Sequence, residues 1–121
     1  MFIQKDQAID DRIVNDIVVD AYDESERAMG WYCYLQDTIT FPVKAKCVQL
    51  ISTSPLALNQ IVEVIDMDSE ANCEHDMFVK INWNSKTLCV PLKQLESINA
   101  DEKTAEAFND WSYWIARGYH F

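Results

Sequence analysis

The hydrophobic period of this chain changes at Pro42. Before it, Ile9, Ile13, Ile17 and Ala21, then Ala28, Trp31 and Leu35, recur at steps of three and four with acids between them. That spacing places them on one stripe of a helix. After it, Val43, Ala45, Cys47 and Gln49 alternate with Lys44, Lys46, Val48 and Leu50, the two-residue period of a strand. QIVEVIDM, MFVKINW and KTLCVPL follow as further runs rich in β-branched and aromatic residues. Four or five short antiparallel strands within roughly 55 residues are too few for a sandwich and suit a small, curved SH3-like barrel. The helical period then returns in Phe108, Trp111 and Ile115, introduced by Asp101, Glu102 and Glu106.

The expected fold is therefore α+β: a small SH3-like antiparallel β-barrel flanked by N-terminal and C-terminal helices. One domain should span 1–121, with a helical segment at about 7–38, the barrel at about 41–98 and the last helix at about 102–117. Val18 and Val19 weaken the first helical segment and Ser25 is able to cap a fresh start, so one long helix or two consecutive ones both fit. Asn82-Trp83-Asn84-Ser85-Lys86 reads as a tight hairpin, and VPLKQLESI as a short helical turn leading to a last strand. With only Gly30 and Gly118, flexible lids and phosphate-cradling loops are largely excluded.

Charge narrows the function. Twenty acids against ten bases leave a net charge of -10, which excludes nucleic acid and anionic membranes as natural partners, since both require basic surface. Calcium ions and basic proteins remain. The start of the chain carries no apolar signal segment and no apolar run approaches a membrane span, so the expectation is a soluble, cytoplasmic protein. The acids are grouped: eight lie in 6–26, six in 63–76 and five in 96–110, with Asp37 alone between blocks. Only Arg12 opposes the first block, whereas Lys44, Lys46, Lys80, Lys86 and Lys93 lie along the strand region.

Between Glu63 and Asp76 there are six carboxylates and no Lys or Arg. Like charges on a short connection repel, and a hard divalent cation relieves them most directly, because carboxylate, Asn and backbone oxygens are the donors Ca²⁺ prefers. Set against an EF-hand, Asp66, Asp68 and Glu70 occupy the first three ligand positions, but Ala71 stands where Gly is needed and Met77 where the bidentate Glu belongs. A calcium site here must use another geometry. The candidate metal ligands are Asp66, Asp68, Glu70, Glu74 and Asp76 in this segment, and Asp23, Glu26 and Asp37 on the preceding helix. Asp37 stands out because a negative charge at a helix C-terminus opposes the macrodipole.

Other chemistry is sparse. There is no GxSxG, P-loop, HExxH or GxGxxG pattern, so no enzymatic activity is expected. Cys33, Cys47, Cys73 and Cys89 form no CxxC pair and read as reduced thiols in or near the core. Cys73 and His75 are the only close pair with zinc-ligand chemistry. Trp31, Tyr32, Tyr34, Trp111, Tyr113 and Trp114 fall at helical spacing and are expected to clamp helices onto the barrel.

The strings DAYDESERAMGWYCYLQDTITFPVKAKC, CEHDMFVKINW, VPLKQL and DWSYWIARGYHF together resemble a family of small cyanobacterial calcium-binding proteins, not of EF-hand type, associated with heterocyst development. The resemblance runs from about Asp20 to Phe121. It implies a Ca²⁺ buffer or sensor with surface carboxylate sites on a compact barrel. A metal role carries over best onto Asp37 in YLQD and onto Glu74 and Asp76 in CEHDM. The family pattern favours Glu before that first Asp; here Gln36 removes one charge. The alternative reading of the residues is an acidic interaction module that docks a basic partner.

Overall fold

The computed structural model describes residues 6–18 and 23–117. Asp6 caps the first helix, α1 (Gln7–Arg12), its carboxylate accepting the N–H groups of Ala8 and Ile9. The helix widens into a π-turn, Ile13–Ile17, which buries Ile13 and Ile17. A second helix, α2 (Glu24–Thr38), starts afresh, so the helical stripe belongs to two elements rather than one. Its cap is Asp23, which accepts the Glu26 N–H at 2.8 Å, rather than Ser25. Ala21, the stripe residue at the join, lies outside the described residues, as do Gly118 and His120.

Gly30 lets these helices meet. A Cβ there would lie 2.3 Å from the carbonyl oxygen of Ile17, closer than real atoms approach. Beyond it, α2 buries Ala28, Trp31, Tyr32 and Leu35. The last helix, α3 (Glu102–Ala116), is capped by Asp101, which accepts from the Thr104 N–H at 2.8 Å and hydroxyl at 3.0 Å. Those hydrogen bonds hold the Asp101 carboxyl below its ordinary pKa. Trp31 meets Trp111 edge-on, ring centroids 5.0 Å apart, and Trp114 at 5.5 Å. These ring contacts lock α2 against α3, helix to helix, whereas the clamp suggested by the spacing was of helices onto the barrel.

Five antiparallel strands follow: β1 (Val43–Cys47), β2 (Ile61–Met67), β3 (Phe78–Trp83), β4 (Lys86–Pro91) and β5 (Leu95–Ser97). They form one sheet in the order β4-β3-β2-β1-β5. The end strands are joined through the 3₁₀ turn Leu92–Gln94 rather than by a hydrogen-bonded ladder, so the barrel-like sheet stays open. Val43, Ala45, Cys47, Val62, Val64, Val79, Ile81 and Val90 are all buried, giving the alternation that one covered face requires. The first strand run is shorter than its sequence pattern. Pairing ends at Cys47, and Val48 and Leu50 are exposed. The β3–β4 hairpin places Asn84 and Ser85 at φ 49° and 66°, the left-handed pair that matches strand twist.

One irregularity lies at the end of β2. The β2–β3 register passes from Val64↔Ile81 to Asp66↔Lys80, leaving an extra residue on β2. Such a bulge re-aims the end of a strand. Among the described residues, no helix is long and apolar enough to cross a membrane.

Candidate functional site

The β2–β3 connection, residues 68–77, is shaped by its own acids. Asp68 is only 7% exposed. Its carboxylate accepts the Ser69 N–H at 2.7 Å and the Asn72 side-chain amide at 3.2 and 3.3 Å. Its backbone carbonyl accepts the Tyr32 hydroxyl at 2.7 Å, which pins the loop to α2. Asp66 accepts the Met67 N–H, and Asp76 accepts the Met77 N–H and lies 3.2 Å from Lys93 Nζ. Met77 is fully buried, so the position that would carry the bidentate Glu of an EF-hand belongs to the core. The loop lies between two strands, not two helices.

The remaining acids face α2. A cleft of about 730 Å³ opens between the first turns of that helix and the 3₁₀ turn Glu70–Cys73. Asp23, Glu24, Glu70, Glu74 and His75 line its polar side, and Ala28, Met29, Tyr32, Ala71 and Cys73 its apolar side. Among the described residues, no Lys or Arg lines it. Glu24 Oε1 and His75 Nδ1 stand 3.6 Å apart across the gap.

The neutral acids around this loop report its field. Burial pushes the Tyr32 phenol upward, with Cys73, Asp66, Glu70 and Asp68 adding to the shift. Burial likewise raises the Cys73 thiol to about 11, reinforced by Asp68 and Asp76 and partly offset by the hydrogen bond from the Phe78 N–H. The Cys89 thiol is raised by burial and by Asp68. Burial leads each of these shifts, and the neighbouring carboxylates add to it in the same direction.

The candidate ligands are therefore divided. Asp23, Glu70 and Glu74 border the cleft; Glu26 is exposed farther along α2 and does not line it. Asp66, Asp68 and Asp76 hold the loop's backbone. Asp37 is exposed in the last turn of α2. Fourteen residues at 1.5 Å each put it about 21 Å along the helix axis from Asp23, so no single ion reaches both. Among the described residues, no three His, Cys, Asp or Glu side chains are grouped closely enough to hold a metal ion unaided. Glu24 lines the cleft and was absent from the sequence-derived set. Its place in a first helical turn reads simply as favourable to the macrodipole.

The thiols also divide. Cys47 and Cys73 are buried and Cys33 and Cys89 exposed, all four free, which corrects the expectation that all sit in or near the core.

Hard oxygen donors border an open cleft on an α+β fold of three helices and a five-stranded antiparallel sheet, an arrangement of the kind a hard divalent cation accepts. The chain belongs to the CcbP family, described as calcium binding, whose sequence pattern matches residues 11–115. Its fold is similar to the crystal structure of Anabaena CcbP, with 38% sequence identity, a TM-score of 0.87 and full coverage of both chains. It is similar also to a calcium-binding protein in the calcium-binding form, with 38% identity, a TM-score of 0.85, and 97% of this chain and 96% of that one covered. No curated protein matches the chain.

Proposed function

We propose that this chain is a calcium buffer that holds Ca²⁺ at the rim of the cleft between α2 and the β2–β3 loop. Glu70 and Glu74 supply carboxylates from the loop, and Asp23 and Glu24 from the helix. The single observation that carries the reading is the combination of these four carboxylates with no Lys or Arg among the described lining residues, His75 being the one titratable base beside them. The donor set fits the ion, since Ca²⁺ takes six to eight oxygens in irregular arrangements and accepts water among them. Because the side chains do not converge unaided, the ion keeps much of its water, and affinity falls toward the weak end of the range. Weak, rapidly exchanging sites suit a capacity buffer better than a switch.

Asp37, far along the helix, is proposed as part of a separate, weaker surface site. Asp76 contributes only when Lys93 releases it. Asp66 and Asp68 act indirectly, by holding the loop in register. Binding of the ion, with no catalysis, is the whole activity proposed, and the cytoplasm is the compartment that suits free thiols.

Isothermal titration of chelator-treated protein with Ca²⁺ and then Mg²⁺ tests this. Ca²⁺ should bind at least several-fold tighter, because Mg²⁺ dehydrates reluctantly and requires near-octahedral geometry. Equal affinities would reduce the cleft to diffuse counterion attraction and sink the proposal.

A further inference from the structure

We infer that the same cleft is a docking groove for a basic, amphipathic protein segment, and that Ca²⁺ displaces it. The displacement rests on the calcium reading above; the docking does not. A metal ion uses only the rim. It leaves the apolar side uncovered where Met29, 43% exposed, and Ala71, also exposed, stand over the buried Ala28 and Tyr32. A thioether on an open apolar wall adapts readily to side chains of different shape.

The charge pattern selects the occupant. Carboxylates border the apolar wall on both sides, Asp23 and Glu24 on the helix, Glu70 and Glu74 on the loop. An anionic or purely apolar ligand would leave these charges partly desolvated and unpaired, which is unfavourable. A segment with an apolar side chain flanked by Lys or Arg satisfies both surfaces at once, as in helix-in-groove recognition. The chain's net charge of -10 speeds the encounter with such a partner. The other exposed apolar side chains on the sheet side, Val48, Leu50, Leu58 and Ile61, have Lys44 and Lys46 on the adjoining strand β1 and lack this acidic frame. Because Glu70 and Glu74 are shared, a bound Ca²⁺ removes the charge that holds the segment's cations. Rising Ca²⁺ thus frees the partner.

The test uses the full chain and a fluorescein-labelled peptide of two heptads, with Leu at helical spacing and Lys elsewhere. Anisotropy is read at about 0.15 M salt, where charges beyond roughly 8 Å are screened. Ala71→Trp fills the groove without changing charge and should weaken the peptide about tenfold or more, a step of about 1.4 kcal/mol. Leu50→Ser, on the other exposed apolar surface, should leave it unchanged. Ca²⁺ should displace the peptide more effectively than the same concentration of Mg²⁺. No effect of Ala71→Trp, or an equal loss in Leu50→Ser, overturns the groove. A peptide that is lost in Ala71→Trp but ignores Ca²⁺ overturns the displacement and leaves the docking. Calorimetry on Glu70→Gln/Glu74→Gln separates the two readings: unchanged Ca²⁺ affinity there refutes the calcium placement, whatever the peptide does.

Discussion

Asp110 and the acids of the cleft carry the same charge in opposite circumstances. Asp110 is fully buried in α3, yet every part of its carboxylate is engaged. The Arg12 guanidinium pairs with both oxygens, and the Tyr34 hydroxyl donates to Oδ2 at 2.8 Å. Glu106 adds a second carboxylate 3.6 Å from Arg12 Nε. The arrangement ties α1 to α3 and to α2, and the paired carboxylate holds the Arg12 pKa above its ordinary value. At the cleft, four carboxylates stand near solvent with no Arg or Lys in the lining. A buried acid with a complete set of partners is part of the frame. Acids left together at a cleft, without cations of their own, are available to an external one.

Removing the charge of the frame should have the largest effect. Asp110→Asn keeps the shape but leaves Arg12 without its counterion. Loss of one partner from a buried pair typically costs about 3–5 kcal/mol, and the lower end applies because Arg12 can turn toward water. Its side chain is 28% exposed. The melting temperature should fall by roughly 10 °C, with calcium affinity per folded molecule unchanged. A mutant that melts normally but loses Ca²⁺ would reverse the assignment of the two regions.

A titration distinguishes the regions next. The buried Cys73 thiol, moved from 9 to about 11, keeps its proton in the folded chain after the unfolded chain has lost it. Its contribution to stability is fully present below pH 9 and is lost as the pH rises toward 11, amounting at most to about 2–3 kcal/mol. Chemical denaturation across that window should show the decline, and Cys73→Ala should flatten it. The Tyr34 phenol, raised by burial and by Asp110, adds a further loss that begins only near pH 10. A stability profile level from pH 8 to 11 would contradict the negative, desolvated surroundings assigned to the loop.

How far these regions were legible in sequence depends on the length of the pattern. The helical stripe, the strand alternation and the Asn84-Ser85 hairpin follow from spacing alone, because each repeats or has a strict backbone requirement. The break between α1 and α2 was left open, since a cap and a break in the helical stripe are single-residue events. Asp110 entered only as one of the five acids of 96–110, although it falls three residues after Ala107 and one before Trp111, on the buried stripe. A charge on that stripe was the available signal. The division of loop acids into those that bind backbone and those that face the cleft was not legible, because the backbone of Asp68 is held by the hydroxyl of Tyr32, 36 residues away.

Neutralising the rim is expected to have a smaller effect, read in affinity rather than stability. Glu70→Gln with Glu74→Gln should weaken Ca²⁺ about tenfold, or about 1.4 kcal/mol, while circular dichroism stays unchanged. The control pair is Asp11→Asn with Asp16→Asn, two exposed acids on the first helical segment. Asp10 is unsuitable because it accepts a hydrogen bond from the Tyr113 hydroxyl. Asp37→Asn, at the far end of α2, should remove only the weaker binding event. If the control pair weakens binding as much as the rim pair, total charge governs the affinity and the cleft has no special claim.

The smallest effect expected is a gain. Lys93 reaches the acidic run between β2 and β3 in an ion pair, its Nζ 3.2 Å from Asp76 Oδ2. Both side chains are partly exposed, and pairs of this kind contribute only about 0–1 kcal/mol, so the fold should tolerate Lys93→Gln. The substitution removes a competitor for Asp76 and leaves the neighbouring Glu74 with less positive charge beside it, so Ca²⁺ should bind about two- to threefold tighter. Lys44→Gln, on an exposed position of β1, changes the net charge equally and should give a smaller gain. Equal gains would mean that Asp76 never meets the ion and belongs with Asp66 and Asp68, which serve the loop rather than its ligand.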